Sequence, residues 1–399
     1  MLVGANVVIA LGYGVVAPVL PAYARNFGVS ISAATFVITA FAAMRLIFAP
    51  PSGLLVQKLG ERRVYLTGLL IVALSTLACA FAETYWQLLL FRSLGGAGST
   101  MFSVSSLALM IRLSPFDARG RVAGLFSSAF MIGGVAGPVL GSLTAGLGLA
   151  VPFGIYGMAL TLAAAVVFVS LRNSTLAAPE EETGPMVSVR TVLRNRAYQA
   201  ALLSNLAAGW AALGLRVALV PLFVVDVLHR SAGMAGLVLA MFAVGNVCAV
   251  IPSGHLSDRV GRRKLLIVGL TVSSVSTVLL GWTTSLPVFL VIAFVTGAAS
   301  GIFISPQQAA VADIIGNQAR GGTAVATFQM MSDLGTILGS LVAGQIAQHV
   351  SFNAAFGVGG VILLAAAVGW WLAPETRHSG DEEETPICPL GHEPVEGSL

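Results

Sequence analysis

The chain has 399 residues, of which 56% are hydrophobic and only 10% are charged, with a formal net charge of +4. Soluble domains carry about 25% charged residues, so this composition excludes a protein that exposes most of its surface to water. The three cysteines, Cys79, Cys248 and Cys388, are too scattered to indicate a disulfide framework or a metal site.

Twelve apolar runs are long enough to cross a bilayer, which takes about 20 residues. We number them as spans 1 to 12, near residues 2–24, 33–56, 64–82, 85–111, 121–147, 149–171, 197–227, 233–256, 265–283, 286–312, 322–348 and 351–373. The first run starts at Leu2 without a basic leader, which indicates a membrane span and not a signal peptide. Helices are predicted because backbone groups in lipid must form hydrogen bonds within their own segment.

The lysines and arginines predict which way the spans run. Most of these 21 residues lie in the connections after even-numbered spans and beyond span 12, whereas only Arg25 and Arg230 lie on the other side. Basic residues concentrate on the cytoplasmic side of membrane proteins. The abundance of Ala, Gly, Val and Arg is typical of bacterial proteins. We therefore predict a multi-pass protein of the bacterial inner membrane with both termini in the cytoplasm.

The two halves of the chain match at an offset of about 200 residues. The matched pairs include Gly14 and Gly214, Pro21 and Pro221, Gly60 and Gly261, Gly133 and Gly335, and Gly137 and Gly339. Because the matches keep their order and each half has six spans, the halves are expected to be parallel repeats about an axis along the membrane normal. The predicted fold is an all-α membrane protein with twelve transmembrane helices in two pseudo-symmetric six-helix bundles.

The repeat also predicts how the chain is divided. Residues 1–171 are expected to form the N-terminal bundle and residues 197–373 the C-terminal bundle. A cytoplasmic linker is predicted at 172–196 and a cytoplasmic polar tail at 374–399, because both stretches are polar and contain acidic runs.

Glycines and basic residues recur at equivalent positions after spans 2 and 8. The residues are Gly53, Gly60 and Arg62 in the first half, and Gly254, Asp258, Arg259, Gly261 and Arg262 in the second. Asp258 is suited to accept hydrogen bonds from an arginine or a helix N-terminus, and the arginines are suited to an anionic lipid surface. Gln57 replaces the acid in the first half, so a charged contact is expected only in the second. A basic loop that merely sets the orientation explains the same residues.

These segments resemble the loop motif of the major facilitator superfamily, and the resemblance extends over nearly the whole chain. It implies that the loops act as a latch that stabilises one conformation. Span 5 contains Gly133, Gly137, Pro138 and Gly141, which resemble the motif of the antiporters in that family. This second resemblance implies export, although close packing of helices explains the same glycines.

Two further segments carry the resemblance. Gly12 to Pro21 in span 1 is similar to a pattern of the twelve-span drug–proton antiporter group. Arg92, followed by Gly95, Gly96 and Gly98, is similar to the arginine-glycine motif of span 4 in the family.

Four charged residues lie inside the predicted spans, namely Arg45, Arg92, Arg216 and Asp333. Charges inside a bilayer are costly and usually functional. At ~1.5 Å per residue, Arg45 lies about 18 Å from Gln57 and Asp333 about 20 Å from Arg320 at the predicted cytoplasmic side. Their depths are similar, and the resemblance implies that spans 2 and 11 face each other. We therefore predict that Arg45 and Asp333 form a proton-sensitive pair. Alternatively, Asp333 lies near the cytoplasmic mouth and only caps a helix.

Arg92 and Arg216 are predicted in the outer half of the membrane, where they are suited to bind an anionic group or backbone carbonyls. The resemblance implies that spans 1, 7 and 10 line a central cavity. Their polar residues are Asn6, Tyr13, Asn205, Trp210, Gln307 and Gln308. A few polar groups in an apolar cavity suit amphipathic solutes. Each of these side chains is equally compatible with a helix-packing contact.

The leading hypothesis is a secondary active transporter that exports hydrophobic or amphipathic compounds of the multidrug type by alternating access. A carrier of a defined metabolite or organic anion is the alternative, and a passive channel or a membrane sensor belongs to another class. No enzyme, metal or cofactor motif is evident, so a proton gradient is the expected energy source. The expected partners are a small-molecule substrate, protons and the lipid bilayer, without nucleic acid, and the protein is expected to be a monomer.

Overall fold

A computed structural model describes residues 2–112, 133, 136–141, 143–144, 146–171, 192–315 and 322–376. All regular secondary structure within these ranges is helical. Eight of the described helical spans are long and apolar enough to cross a membrane by themselves. The all-α membrane fold expected from the sequence is therefore confirmed.

In the first half the helices follow the predicted spans closely. Span 1 is divided into Leu2–Val16 and Leu20–Arg25. The division falls at Pro18, which has no backbone N–H group to donate to the preceding turn. Spans 2, 3, 4 and 6 are the helices Ile31–Leu59, Glu61–Ala80, Tyr85–Arg112 and Val151–Leu171. Of span 5, the structure describes helical residues at 133, 136–141 and 143–144.

In the second half, span 7 is continuous but changes its helical form. It consists of Arg196–Gly209, a π-helix at Trp210–Val217, and Ala218–Asp226. Spans 8 to 12 are the helices Ala232–Val260, Arg262–Trp282, Leu286–Ile315, Gly322–His349 and Phe352–Leu372.

The predicted loops after spans 2 and 8 are in fact single-glycine turns. Gly60 and Gly261 have φ angles of 78° and 102°, a region that strongly favours glycine, and each joins two long helices directly. The basic residues assigned to these loops therefore lie on helix ends. We call this side of the molecule the basic end and the other side the opposite end.

Several expectations concern residues outside the described ranges. These are residues 172–191 of the predicted linker, residues 377–399 of the predicted tail, and the loop arginines Arg119, Arg121 and Arg320. Two described residues at the edges of the linker and tail contact the C-terminal half. Val192 is buried in its core, and Glu375 binds the start of span 9.

Glycine contacts hold equivalent helix pairs together in the two halves. A Cβ atom on Gly14 of span 1 would lie 2.8 Å from Gly137 Cα of span 5. A Cβ atom on Gly214 of span 7 would lie 2.7 Å from Gly339 Cα of span 11. Lipid provides no hydrophobic drive for helix association, so such close backbone contact is a main source of packing energy. The matched glycines therefore form the same helix–helix contact twice.

Gly335→Ala should destabilise the protein, because the added methyl group would overlap the carbonyl oxygen of Leu206 on span 7. We expect a loss of about 1–3 kcal/mol, the usual cost of overpacking. Gly357→Ala is the matched control, since a Cβ atom there meets nothing within 4 Å. Thermal unfolding of both variants in detergent would test this, and equal midpoints would contradict the packing role of Gly335.

Candidate functional site

The two halves contact each other along spans 1, 2, 7 and 11, from the opposite end to mid-membrane. At the opposite end, Arg25 Nη1 lies 3.0 Å from Asp226 Oδ2. On spans 2 and 11, Ser32 Oγ donates to Gln348 Oε1 at 2.6 Å. About two helical turns further in, the hydroxyls of Thr39 and Ser340 lie 2.7 Å apart. The described contacts between spans 2 and 11 thus form a polar seam that runs toward the centre of the molecule.

An ion pair lies at the inner end of this seam. Arg45 Nε donates to Asp333 Oδ1 at 3.1 Å, and Arg45 Nη1 donates to Ser99 Oγ of span 4 at 2.9 Å. The structure thus places the side chains of Arg45 and Asp333 in direct contact. Their side chains are 22% and 14% exposed, so the pair is largely but not completely desolvated. Asp333 lies well inside the helix Gly322–His349, a position that does not suit a capping residue.

The other two arginines inside the predicted spans occupy similar sites in the two halves, each against the face of a phenylalanine ring. The guanidinium of Arg92 lies 4.4 Å from the ring centroid of Phe41, and that of Arg216 lies 4.4 Å from the ring centroid of Phe242. Phe41 and Phe242 are 201 residues apart, the same offset that relates Gly60 to Gly261. Each half therefore places one arginine on the same aromatic face, although the arginines come from spans 4 and 7.

The serines at these sites are also related by the repeat. Arg45 donates to Ser99, and Arg216 Nη2 donates to Ser300 Oγ at 3.0 Å. Ser99 and Ser300 are again 201 residues apart. The sequence analysis missed both the serines and the phenylalanines, although these identical residues at the repeat offset were a usable signal.

Arg92 and Arg216 have no carboxylate partner among the described residues. Arg92 is only 6% exposed, and its Nε has no hydrogen-bond partner. Aromatic faces attract a cation but leave the N–H groups of the guanidinium unsatisfied. The site therefore keeps two positive charges that the protein neutralises only in part.

The π-helix of span 7 positions Arg216. Such irregular turns are frequently found at functional sites. Gly209, which directly precedes the π-helix, and Gly214, which lies within it, bring span 7 into close contact with Ser332 and Gly339 of span 11. Ser332 precedes Asp333, so Arg216 and the ion pair are held by the same helix contact. The sequence pattern gave no signal for this change of helical form.

The polar residues expected to line a cavity divide into two groups. Tyr13 and Gln308 are exposed, and Tyr13 lies within electrostatic range of Arg92, Arg45 and Asp333. Asn205 Nδ2 instead donates to the Phe328 carbonyl at 2.5 Å. The remaining members are buried Gln307, whose Nε2 donates to the Ala201 carbonyl, and buried Trp210, whose Nε1 has no partner. The side chain of Asn6 lies outside the described part of the chain.

At the basic end, the start of span 9 contacts two acids that the sequence analysis did not name. Arg262 Nε donates to Asp313 Oδ2 of span 10 at 2.7 Å, and the backbone N–H of Arg262 donates to Glu375 Oε1 at 2.8 Å. A carboxylate at a helix N-terminus is favoured by the helix dipole. The sequence analysis missed Asp313 and Glu375, while the side chain of Asp258 lies outside the described residues.

The motif glycines also have different roles. A Cβ atom on Gly254 would lie 3.1 Å from Ser305 Oγ, whereas one on Gly53 would meet nothing within 4 Å. In span 5, Gly133, Gly137 and Gly141 all face span 1, next to Ala10, Gly14 and Val15. Pro138 lies in this contact, with its Cδ near Gly14.

Comparison with known proteins gives matches over nearly the full chain. The family described as "Major Facilitator Superfamily" matches residues 2–231 and 201–392. Multidrug resistance protein MdtG of Salmonella paratyphi C is 26% identical over 374 residues, or 90% of this chain and 91% of that protein. Multidrug resistance protein 2 of Bacillus subtilis is 26% identical over 72% of this chain and 76% of its own length.

Among solved structures, a bacterial homologue of the human lysosomal transporter Spinster, in an inward-facing and occupied conformation, has a TM-score of 0.77. It is 16% identical and the match covers 93% of this chain and 95% of that one. This likeness confirms the arrangement of helices in two bundles.

A double-mutant cycle should show that the Arg45–Asp333 pair couples the halves. We expect a coupling energy of about 1–3 kcal/mol from Arg45→Gln, Asp333→Asn and the double variant, because the pair is largely desolvated. The more exposed Arg25–Asp226 pair, treated the same way, should give less than about 1 kcal/mol. Unfolding in mixed detergent micelles would supply the energies. Additive effects of Arg45→Gln and Asp333→Asn would contradict the coupling.

Proposed function

The chain belongs to the major facilitator superfamily, and on this premise we propose that it exports amphipathic small molecules in exchange for protons by alternating access. Family membership makes it a multi-pass membrane transporter and confirms that it is not an enzyme. The relatives named as multidrug resistance proteins, which match most of its length, support export as the direction and drug-like compounds as the substrates.

The ion pair between Arg45 and Asp333 is the observation that carries the proton-coupled mechanism. The Asp333 carboxylate accepts a hydrogen bond from Arg45 across the boundary between the halves. The strength of this contact depends on the negative charge of the carboxylate. A proton on Asp333 would remove this charge and most of the attraction to Arg45. The two halves would then separate more easily along the seam between spans 2 and 11. Protonation thus favours the state that is open at the opposite end.

The orientation proposed for the membrane follows from the positions of the basic residues. Lys58 and Arg259 lie on helix ends at the basic end, as do the arginines next to Gly60 and Gly261. We place this end in the cytoplasm of a bacterial cell, together with both termini. The state described here, with its seam joined at the opposite end, then has its site accessible from the cytoplasm.

Proton-driven dye movement should require Asp333. Purified protein in liposomes with an imposed pH gradient should accumulate an amphipathic fluorescent dye, and Asp333→Asn should reduce the rate to that of protein-free liposomes. The amide preserves the shape of the side chain but cannot carry the coupling charge. The readout is the initial rate of dye uptake as a function of the gradient.

Glu83→Gln is the matched control, because Glu83 is an exposed carboxylate between spans 3 and 4 that lies outside the seam. It should leave the rate unchanged. Gradient-driven transport by a folded Asp333→Asn variant would refute the role of Asp333. Dye movement that never exceeds equilibration, even in the wild type, would favour a channel over a coupled transporter.

A further inference from the structure

We propose that the exported compounds are amphipathic anions, whose acidic group binds between Arg92 and Arg216. This inference rests on the proposed export function and defines the substrate class for the same site.

The balance of charge inside the membrane is the first argument. The twelve spans contain three arginines away from their ends, Arg45, Arg92 and Arg216, but only one carboxylate at comparable depth, Asp333. Arg45 binds that carboxylate. Asp226, at the end of span 7, is bound to Arg25. Isolated charges in a membrane interior are costly, so two remaining guanidinium groups create a site that gains from a bound anion.

The second argument is that the two arginines lie at the same level. Phe41 and Phe242 each lie 11 residues after the serine that precedes their helix, Ser30 and Ser231. Both rings are therefore about 16 Å from the opposite end, and the guanidinium groups stacked on them share this depth. The Arg45–Asp333 pair lies about one helical turn deeper.

The third argument is that Arg216 lies at the boundary between the halves. Val217 and Ala218, which follow it, pack into the hydrophobic core of the N-terminal half. On the other side of this boundary, exposed Tyr13 lies within electrostatic range of Arg92. Arg216 therefore lies where span 7 contacts the N-terminal half, which is the half that contains Arg92.

The hydrogen-bonding capacity fits an oxyanion. A guanidinium has five N–H donors and often binds a carboxylate, sulfonate or phosphate with two of them. Arg216 uses one on Ser300, and Arg92 has an unpartnered Nε. The rings of partly exposed Phe41 and exposed Tyr13 provide apolar surface for the rest of an amphipathic molecule. A cationic solute would instead meet two like charges in a poorly hydrated site.

Two dansyl dyes with the same linker test this preference. Dansyl-6-aminohexanoate ends in a carboxylate, and dansylcadaverine ends in an ammonium group. We expect the wild-type protein in detergent to bind the anionic dye about 10-fold more tightly, as measured by dansyl fluorescence, because a hydrogen bond to a charged group has about this effect. Arg92→Gln and Arg216→Gln should each remove most of this ratio, while Arg92→Lys should retain part of it.

Arg230→Gln is the matched control, since it removes an exposed arginine beyond the end of span 7 and should leave the ratio unchanged. Equal or tighter binding of the cationic dye by the wild type would overturn the anion site, as would an unchanged ratio in both glutamine variants. Anion-selective binding without gradient-driven uptake into liposomes would instead refute proton-driven export and leave the anion site supported. The two proposals therefore fail separately.

Discussion

The interior of this protein is organised by the difficulty of holding charge inside a membrane. Asp333 is tolerated because Arg45 from the other half neutralises it, and Arg45 is fixed in turn by Ser99. Arg92 and Arg216 are stabilised differently, by aromatic faces and, for Arg216, by one hydroxyl group. Arg45 and Asp333 neutralise each other across the boundary between the halves, whereas Arg92 and Arg216 are each stabilised within one half. Among these four charges, only the Arg45–Asp333 pair therefore makes the contact between the halves dependent on charge.

Close glycine contacts make this arrangement possible. Gly14 with Gly137, and Gly214 with Gly339, bring backbones together in equivalent helix pairs of the two halves. They are rigid contacts, which suits bundles that move as units about a central site. The seam between spans 2 and 11 is different in kind, since its described contacts join polar side chains and an ion pair. Rigid bundles with a polar, breakable seam are what alternating access requires.

The duplicated sequence has not kept both halves chemically equal. The phenylalanines and serines that hold the arginines are identical at the repeat offset, but the arginines themselves come from different spans. The only mid-membrane carboxylate belongs to the second half. The duplicated fold thus supplies two similar arginine sites, whereas the carboxylate that we propose to bind the proton occurs once.

The family resemblance, which implies that spans 2 and 11 face each other, was needed to predict the contact between Arg45 and Asp333. The sequence by itself determined the helical membrane fold, the repeat and the presence of four charges inside the spans. These follow from apolar length, from spacing and from the cost of charge in lipid, all of which are local or additive properties of the chain. Only the tertiary structure decided that Gly60 and Gly261 are complete turns, that span 7 becomes a π-helix, and that Asp313 and Glu375 bind Arg262. It also decided which polar side chains bind a neighbouring helix and which are exposed. Asn205 donates a hydrogen bond to the backbone of span 11, whereas Tyr13 is exposed. These features depend on how neighbouring helices are rotated and on how far apart they lie. A membrane span that is apolar on all faces has no hydrophobic periodicity from which this rotation can be predicted.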